Sequence, residues 1–197
     1  MNGSGSEVTI NGDSSGITGI TETSLSAIYV KQGALTINGG SYSGHTVEHG
    51  GIIYNEKGNV TINGGVFKDN AASGRGGVIY CTTSSKTTIT GGEFTNNIAE
   101  SIYGGGAISC TGGSELVVTG GYFHDNTAAC TDSKAYGGGA IESNGTVTIQ
   151  GGTFEANTAF KGGAVYIDKA GTLAVSGGEF LGNATFALAD TAGGALF

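Results

Sequence analysis

Proline and tryptophan are absent from this 197-residue chain, arginine occurs once, and cysteine occurs three times. The lack of proline excludes a collagen-like structure although 40 residues are glycine, because a collagen triple helix needs both in abundance. Three cysteines are too few for a disulfide framework, and an odd number cannot all be paired. The net charge of −8 argues against nucleic acid or an anionic membrane surface as a partner.

Long apolar runs are absent as well. No stretch reaches the roughly 18 apolar residues of a membrane-spanning helix, so we expect no membrane insertion of this segment. Residues 1–6 lack the charged and apolar parts of a signal peptide, and we interpret them as a short added linker. Charged residues make up 12% of the chain and hydrophobic residues 38%, which favours a packed core over disorder.

The chain does contain a repeat. A strand-like phrase ending in glycine recurs seven times, and in six copies a double glycine is followed by one variable residue and an aromatic one. Three positions later comes asparagine, or histidine in the first unit, and a second phrase with its own double glycine closes each unit. The aromatic residues are Tyr42, Phe67, Phe94, Phe123, Phe154 and Phe180, and the polar ones are His45, Asn70, Asn97, Asn126, Asn157 and Asn183.

Apolar and polar residues alternate within each phrase, as in a strand that buries one face. One short unit cannot bury that face alone, whereas stacked units share a continuous core. The sequence therefore predicts an all-β, single-domain, right-handed parallel β-helix, a three-sided β-solenoid of about six to seven coils. We expect an irregular first coil at 7–32 and regular coils at 33–197, truncated at the C-terminal end.

Stacking converts each repeated position into a column. We expect the aromatic residues to form an inward stack and the asparagines to form a structural ladder at a corner, where amides bond to the backbone and to one another. Cys81 and Cys110 follow equivalent phrases on adjacent coils, and we favour two buried, stacked thiols over a bond between them.

The two recurring motifs, FxxN and GGA followed by Ile, Leu or Val, resemble the repeats of the chlamydial polymorphic membrane proteins. This resemblance implies an extracellular or cell-surface adhesin-like passenger or stalk, without enzymatic activity or a cofactor, within a longer parent chain. Its partner would be a protein or glycan on the surface of a host or neighbouring cell. FxxN stands at 67–70, 94–97, 123–126, 154–157 and 180–183, and GGA[ILV] stands at 105–108, 138–141, 162–165 and 193–196.

Two alternatives stay open at this point. The main one is a carbohydrate-active, pectate-lyase-like or carbohydrate-binding β-helix, since Asp69 and Asp125 share a column two coils, or about 9.6 Å, apart. An outward carboxylate column is more often only solubilising. The remote one is an ice-binding solenoid, although threonine simply suits exposed strands; its outward row is Thr9, Thr36, Thr61, Thr88 and Thr148. The sequence contains no recognisable catalytic triad or metal-ligand spacing.

Two surface features are candidate binding sites. Outward aromatics in one column could stack on sugars or contact proteins, although packing between neighbours explains them nearly as well. The longest insertion, 127–137, should project from one edge together with the shorter ones. Loops on a rigid scaffold often carry recognition, but insertions there also cost little entropy. The column contains Tyr29, Tyr54, Tyr80 and Tyr166, and the candidate ligand residues of the loop are Cys130, Asp132, Lys134 and Tyr136.

Overall fold

The computed structural model describes residues 3, 5–18, 26–130, 135–186 and 193–197, without the side chains of 13–16 and 18. Within these ranges the chain forms 22 strands and no helix, and every strand pairing is parallel. The predicted three-sided parallel β-helix is confirmed. A helix that is long and apolar enough to span a bilayer does not occur in the described part of the chain.

Three sheets form the sides of the solenoid, and each coil contributes to all of them in turn. The first sheet contains β1 (Glu7–Thr18), β3 (Ala34–Ser43), β6 (Asn59–Ile62), β7 (Val66–Lys68), β10 (Lys86–Ile89), β11 (Glu93–Thr95), β14 (Glu115–Val118), β15 (Tyr122–His124), β18 (Thr146–Glu155) and β21 (Thr172–Leu181). The second sheet contains β4 (Thr46–Val47), β8 (Ala71–Ala72), β12 (Ile98–Ala99), β16 (Thr127–Ala128), β19 (Thr158–Ala159) and β22 (Ala184–Thr185). The third sheet contains β2 (Ile28–Val30), β5 (Ile53–Asn55), β9 (Ile79–Cys81), β13 (Ile108–Cys110), β17 (Ile141–Ser143) and β20 (Val165–Ile167).

Alternation along each strand builds the core. In β6, Val60 and Ile62 are buried while Thr61 between them is half-exposed, and the parallel register repeats this choice in every coil. Thr87 is the polar exception in the Val60 column and is fully buried. Its hydroxyl lies 3.2 Å from Asn55 Nδ2 and 3.1 Å from Cys81 Sγ, so the buried polar group has partners.

The aromatic residues form a continuous stack through the interior, as predicted. Neighbouring ring centroids are 4.6–4.9 Å apart and the ring planes differ by only 5–10°. The stack follows the coil-to-coil spacing of parallel strands, because one ring comes from each coil. Its members are Tyr42, Phe67, Phe94, Phe123, Phe154 and Phe180.

The glycine pair of the second phrase lies where successive coils approach most closely. A β-carbon on Gly139 would collide with the carbonyl oxygen of Gly163 in the next coil, and one on Gly106 would collide with that of Gly139. The GGA motif is therefore a steric requirement of coil stacking, independent of any left-handed backbone at these positions.

The asparagine column forms the predicted ladder. Asn126 Nδ2 donates to Phe94 O at 2.8 Å and to Asn157 Oδ1 at 2.9 Å, while its Oδ1 accepts from Asn97 N and Asn97 Nδ2 at 3.1 and 2.9 Å. The same pattern recurs from Asn70 to Asn157, so each of these amides joins the coil before it to the coil after it, while Asn183 bonds to the preceding coil. The residues are Asn70, Asn97, Asn126, Asn157 and Asn183.

Replacing Asn126 with alanine should lower the free energy of unfolding by about 1–3 kcal/mol, because buried backbone and amide groups lose their partners. Asn183→Ala is the matched control, since Asn183 is only half-buried and water can replace its bonds. Urea denaturation of both variants tests this. If both variants lose equally little stability, the hydrogen bonds of the column are no stronger than the bonds to water that replace them.

The two equivalent cysteines are buried free thiols that pair in register on β9 and β13. The Cys110 thiol has a raised pKa because of a hydrogen bond to Cys81 and because of burial. A raised pKa disfavours the reactive thiolate, so this pair is part of the core, as expected.

Candidate functional site

The column that contains Asp69 and Asp125 has a backbone explanation. Both residues have positive φ, 55° and 56°, as do Asn96 at 53° and Ala156 at 51°, and glycine occupies the position in the flanking coils. Asp and Asn adopt the left-handed conformation more readily than other residues that carry a β-carbon. The two carboxylates border a shallow groove, but the turn conformation alone accounts for the choice of residues.

Alanine is the strained member of this column, and Ala156→Gly should raise the free energy of unfolding by about 0.5–1 kcal/mol. A left-handed alanine costs about 1–2 kcal/mol, and the freedom of glycine in the unfolded chain offsets part of the gain. Ala71→Gly in β8, at a position without positive φ, is the matched control and should be destabilising. Thermal melts compare the two variants; a decrease in both would contradict the assignment of strain to position 156.

A histidine and two carboxylates meet on the outer face of the first sheet. His124 Nε2 lies 3.1 Å from Glu93 Oε1, and its Nδ1 lies 2.9 Å from Asp125 Oδ2. Burial alone would lower the pKa of His124, but hydrogen bonds to Asp125 and Glu93 outweigh it and raise the pKa. Among the described residues no three His, Cys, Asp or Glu side chains are placed to hold a metal ion. The cluster is an ion-pair network between neighbouring coils.

The outward threonines of the first sheet are in register but do not form an unbroken array. Thr88 pairs with Val117, and Val117 pairs with Thr148, so an apolar residue interrupts the row in its middle. Thr148 then pairs with Ala174.

The tyrosine column divides into two different environments. Tyr29, Tyr54 and Tyr80 form an edge-to-face row on the third sheet, with centroids 5.4 and 5.2 Å apart. Tyr29 is 47% exposed and also donates a hydrogen bond to Glu56. The prediction of an exposed ladder is wrong for Tyr166, which is only 4% exposed, because Tyr136 and Phe197 pack against its ring.

Tyr103 and Tyr136, from two inserted loops, form an aromatic cluster with Tyr166 of β20 and with Phe197. Tyr103 stacks on Tyr136 with centroids 5.4 Å apart, Tyr136 lies 5.9 Å from Tyr166, and Tyr166 stacks on Phe197 at 5.5 Å. These rings surround a concavity of about 470 Å³, which Ile167, Asp168 and Lys169 complete. We call this concavity the aromatic pocket.

Two cations lie on the outer rings of this cluster. Lys161 Nζ is 3.9 Å from the centroid of the Tyr136 ring, and the Arg75 guanidinium is 5.0 Å from that of Tyr103. Such cation–π contacts favour well-ordered rings. The stacking of Tyr136 between Tyr103 and Lys161 therefore fixes one wall of the pocket.

A buried carboxylate lies on β17, beside Tyr166 in the strand register. Glu142 is 1% exposed, and its Oε2 is 3.8 Å from Arg75 Nη1. Ser109, the neighbour of Glu142 in the strand register, is also buried, and its Oγ accepts a hydrogen bond from Gly105 N. Desolvation raises the pKa of Glu142 to about 7, although Arg75 and Ser109 oppose the shift.

The 127–137 loop contributes one predicted residue to the pocket directly. Tyr136 belongs to the aromatic cluster, whereas Cys130 is a half-exposed free thiol that does not line the pocket. Asp132 and Lys134 lie outside the described residues, so their assignment as ligand residues stays a prediction.

Sequence reasoning missed Tyr103, Lys161 and the Arg75–Glu142 pair. One signal for this cluster was present in the sequence. Ser109 and Glu142 interrupt the tyrosine column in two coils that have long loops between the second and third sheets. A small residue and a buried acid at those two positions indicate that something packs over the sheet there.

Comparison with known proteins identifies the repeat. Residues 64–82 match the model of the Chlamydia polymorphic membrane protein repeat, which confirms the resemblance for the unit that contains Phe67, Asn70 and the glycine phrase at 76–79. No curated protein and no solved structure matches the chain.

Proposed function

We propose that this chain, with repeats of the polymorphic membrane protein type, is a non-enzymatic adhesive segment of a microbial cell-surface or secreted protein. In this role the solenoid is a rigid stalk or passenger, and its partner is a protein or glycan on a host or neighbouring cell. The motif residues support the rigid part of the proposal, because the asparagines, aromatics and glycines all serve coil stacking.

One observation carries the adhesive part. The loops between the second and third sheets vary in length, and Tyr103 and Tyr136, from two of them, stack on each other and line the aromatic pocket. Variable loops on a uniform scaffold are the usual arrangement of a recognition surface. The surface location is part of the proposal, and the match to a membrane protein repeat supports it.

Deletion of residues 130–136 tests the proposal. It leaves four residues between Asn126 and Gly138, the length found between Asn157 and Gly162, so the coil should still close. We expect unchanged β-sheet content by circular dichroism and loss of binding to cells in a labelled-protein assay. Tyr29→Ala is the control, because Tyr29 belongs to the tyrosine column of the third sheet but lies far from the deleted loop, and this variant should bind normally.

Two results would contradict the proposal. Full binding by the shortened protein would place adhesion elsewhere on the solenoid. Cleavage of a uronate polysaccharide that is lost on Asp69→Asn or Asp125→Asn would instead favour the carbohydrate-active alternative. Intact wild-type protein should be assayed for both activities side by side.

A further inference from the structure

We propose that the aromatic pocket binds a neutral sugar unit of a cell-surface glycan. This inference rests on the adhesive function proposed above and names the chemical class of its ligand. It depends on three features of the pocket: the ring surfaces, the polar groups at its rim and the balance of charge around it.

The ring surfaces suit a ligand with an apolar face. Tyr103, Tyr136 and Tyr166 line the pocket together with Phe197 and Ile167, and a pyranose ring presents C–H groups on one face that pack on aromatic rings. A volume of about 470 Å³ lies within the range of small-ligand sites, about 300–1,000 Å³. This volume suits a terminal sugar unit, which enters the pocket while the remaining glycan extends into solvent.

The polar groups suit hydroxyls. Asp168 and Lys169 line the same concavity, so a carboxylate acceptor and an ammonium donor stand beside the rings. Binding sites of small polar molecules commonly combine an aromatic surface with a few polar groups that fix orientation. Sugar hydroxyls, which donate and accept, can bond to both groups at once.

The charge balance argues for a neutral ligand over a cationic one. An aromatic cage with a carboxylate would also attract a quaternary ammonium, but Lys161 already lies on the Tyr136 ring and Arg75 on the Tyr103 ring. The cluster adjoins three cations, since Lys169 also lines the pocket, and two carboxylates. Of these carboxylates, Glu142 faces Arg75, and Asp168 accepts a hydrogen bond from the backbone nitrogen of Lys169. An incoming cation would therefore meet an excess of positive charge.

The experiment uses the whole chain on immobilised neutral oligosaccharides that end in galactose, glucose, mannose or N-acetylglucosamine. The methyl glycoside of the best-bound terminal sugar is then titrated in solution. Because the chain has no tryptophan, its fluorescence comes from its eight tyrosines, three of which line the pocket. Choline chloride is titrated in parallel as the cationic probe.

We expect saturable sugar binding that Tyr136→Ala weakens at least tenfold and Asp168→Asn weakens severalfold. Tyr122→Ala, which removes an exposed tyrosine of the first sheet outside the pocket, should bind as the wild type does. Thermal melts of each variant separate lost binding from lost folding. If Tyr166→Ala does not fold, Tyr166→Phe replaces it, because this variant keeps the buried ring.

Several outcomes would overturn the inference. Equal sugar affinity in the wild type and in Tyr136→Ala would move the site elsewhere, and saturation by choline without any sugar binding would make the ligand a cation. If no oligosaccharide binds but cells are still bound in a Tyr136-dependent manner, the pocket recognises a protein and the adhesive function survives. If neither sugars nor cells are bound, both proposals fail.

Discussion

Replacing Phe123 with alanine is expected to lower the free energy of unfolding by about 3–5 kcal/mol, the usual cost of truncating a buried phenylalanine. Phe123 is fully buried and lies between Phe94, at 4.6 Å, and Phe154, at 4.8 Å. Its loss leaves a cavity between two rings that the backbone of adjacent coils holds apart, so the site cannot collapse. Urea denaturation followed by circular dichroism measures the effect.

Phe180→Ala is the matched control for the stack. Phe180 is half-exposed and contacts one described ring, Phe154, at 4.9 Å. We expect clearly less destabilisation there, because water fills the space that the ring vacates. If Phe123→Ala lowers the free energy of unfolding no more than Phe180→Ala does, enclosure of a ring between two coils adds nothing to its contribution to stability.

The pH dependence of stability should change when Glu142 is replaced with glutamine. Folding raises the pKa of Glu142 from an ordinary value of 4.5 to about 7, so the folded protein holds a proton that the unfolded chain releases. The resulting stabilisation is fully present below pH 4.5 and is lost as the pH rises through 7. The wild type should lose roughly 3 kcal/mol across this window relative to Glu142→Gln, at about 1.4 kcal/mol per pKa unit.

Urea midpoints measured from pH 4 to pH 9 in both proteins test this linkage. Glu115→Gln is the control, because Glu115 is an exposed partner of Lys86 at 3.0 Å and such surface pairs contribute little. Its profile should follow that of the wild type. Parallel profiles for the wild type and Glu142→Gln would show that Glu142 ionises normally despite its burial.

The sequence predicted the solenoid well because each coil repeats the same physical problem. Alternation in Val60–Ile62 fixes which side chains point inward, and stacking then dictates the aromatic and asparagine columns. The polar member of the inward Val60 column, Thr87, could not be explained from its own column, since its partners Asn55 and Cys81 come from the third sheet. Contacts across the interior depend on all three sides at once.

The pocket was harder to predict because repeat periodicity carries no information about where inserted loops fold. The length of 127–137 indicated a projection from the edge, yet Tyr136 lies against the third sheet, with its ring 5.9 Å from that of the buried Tyr166. The Arg75–Glu142 pair beside this cluster joins residues that lie two coils apart in the third-sheet stack. No pattern within a single coil reveals such a pair.

The asparagine ladder has a polarity. From Asn70 to Asn157 the amide carbonyl accepts from the preceding coil, and the amide nitrogen donates to the amide carbonyl of the following one. The side-chain dipoles are therefore aligned head to tail along the axis, and aligned dipoles add as they do in a helix. Two solenoid segments of this kind can continue one another only in the same orientation, since a reversed joint would place carbonyl against carbonyl or amino group against amino group.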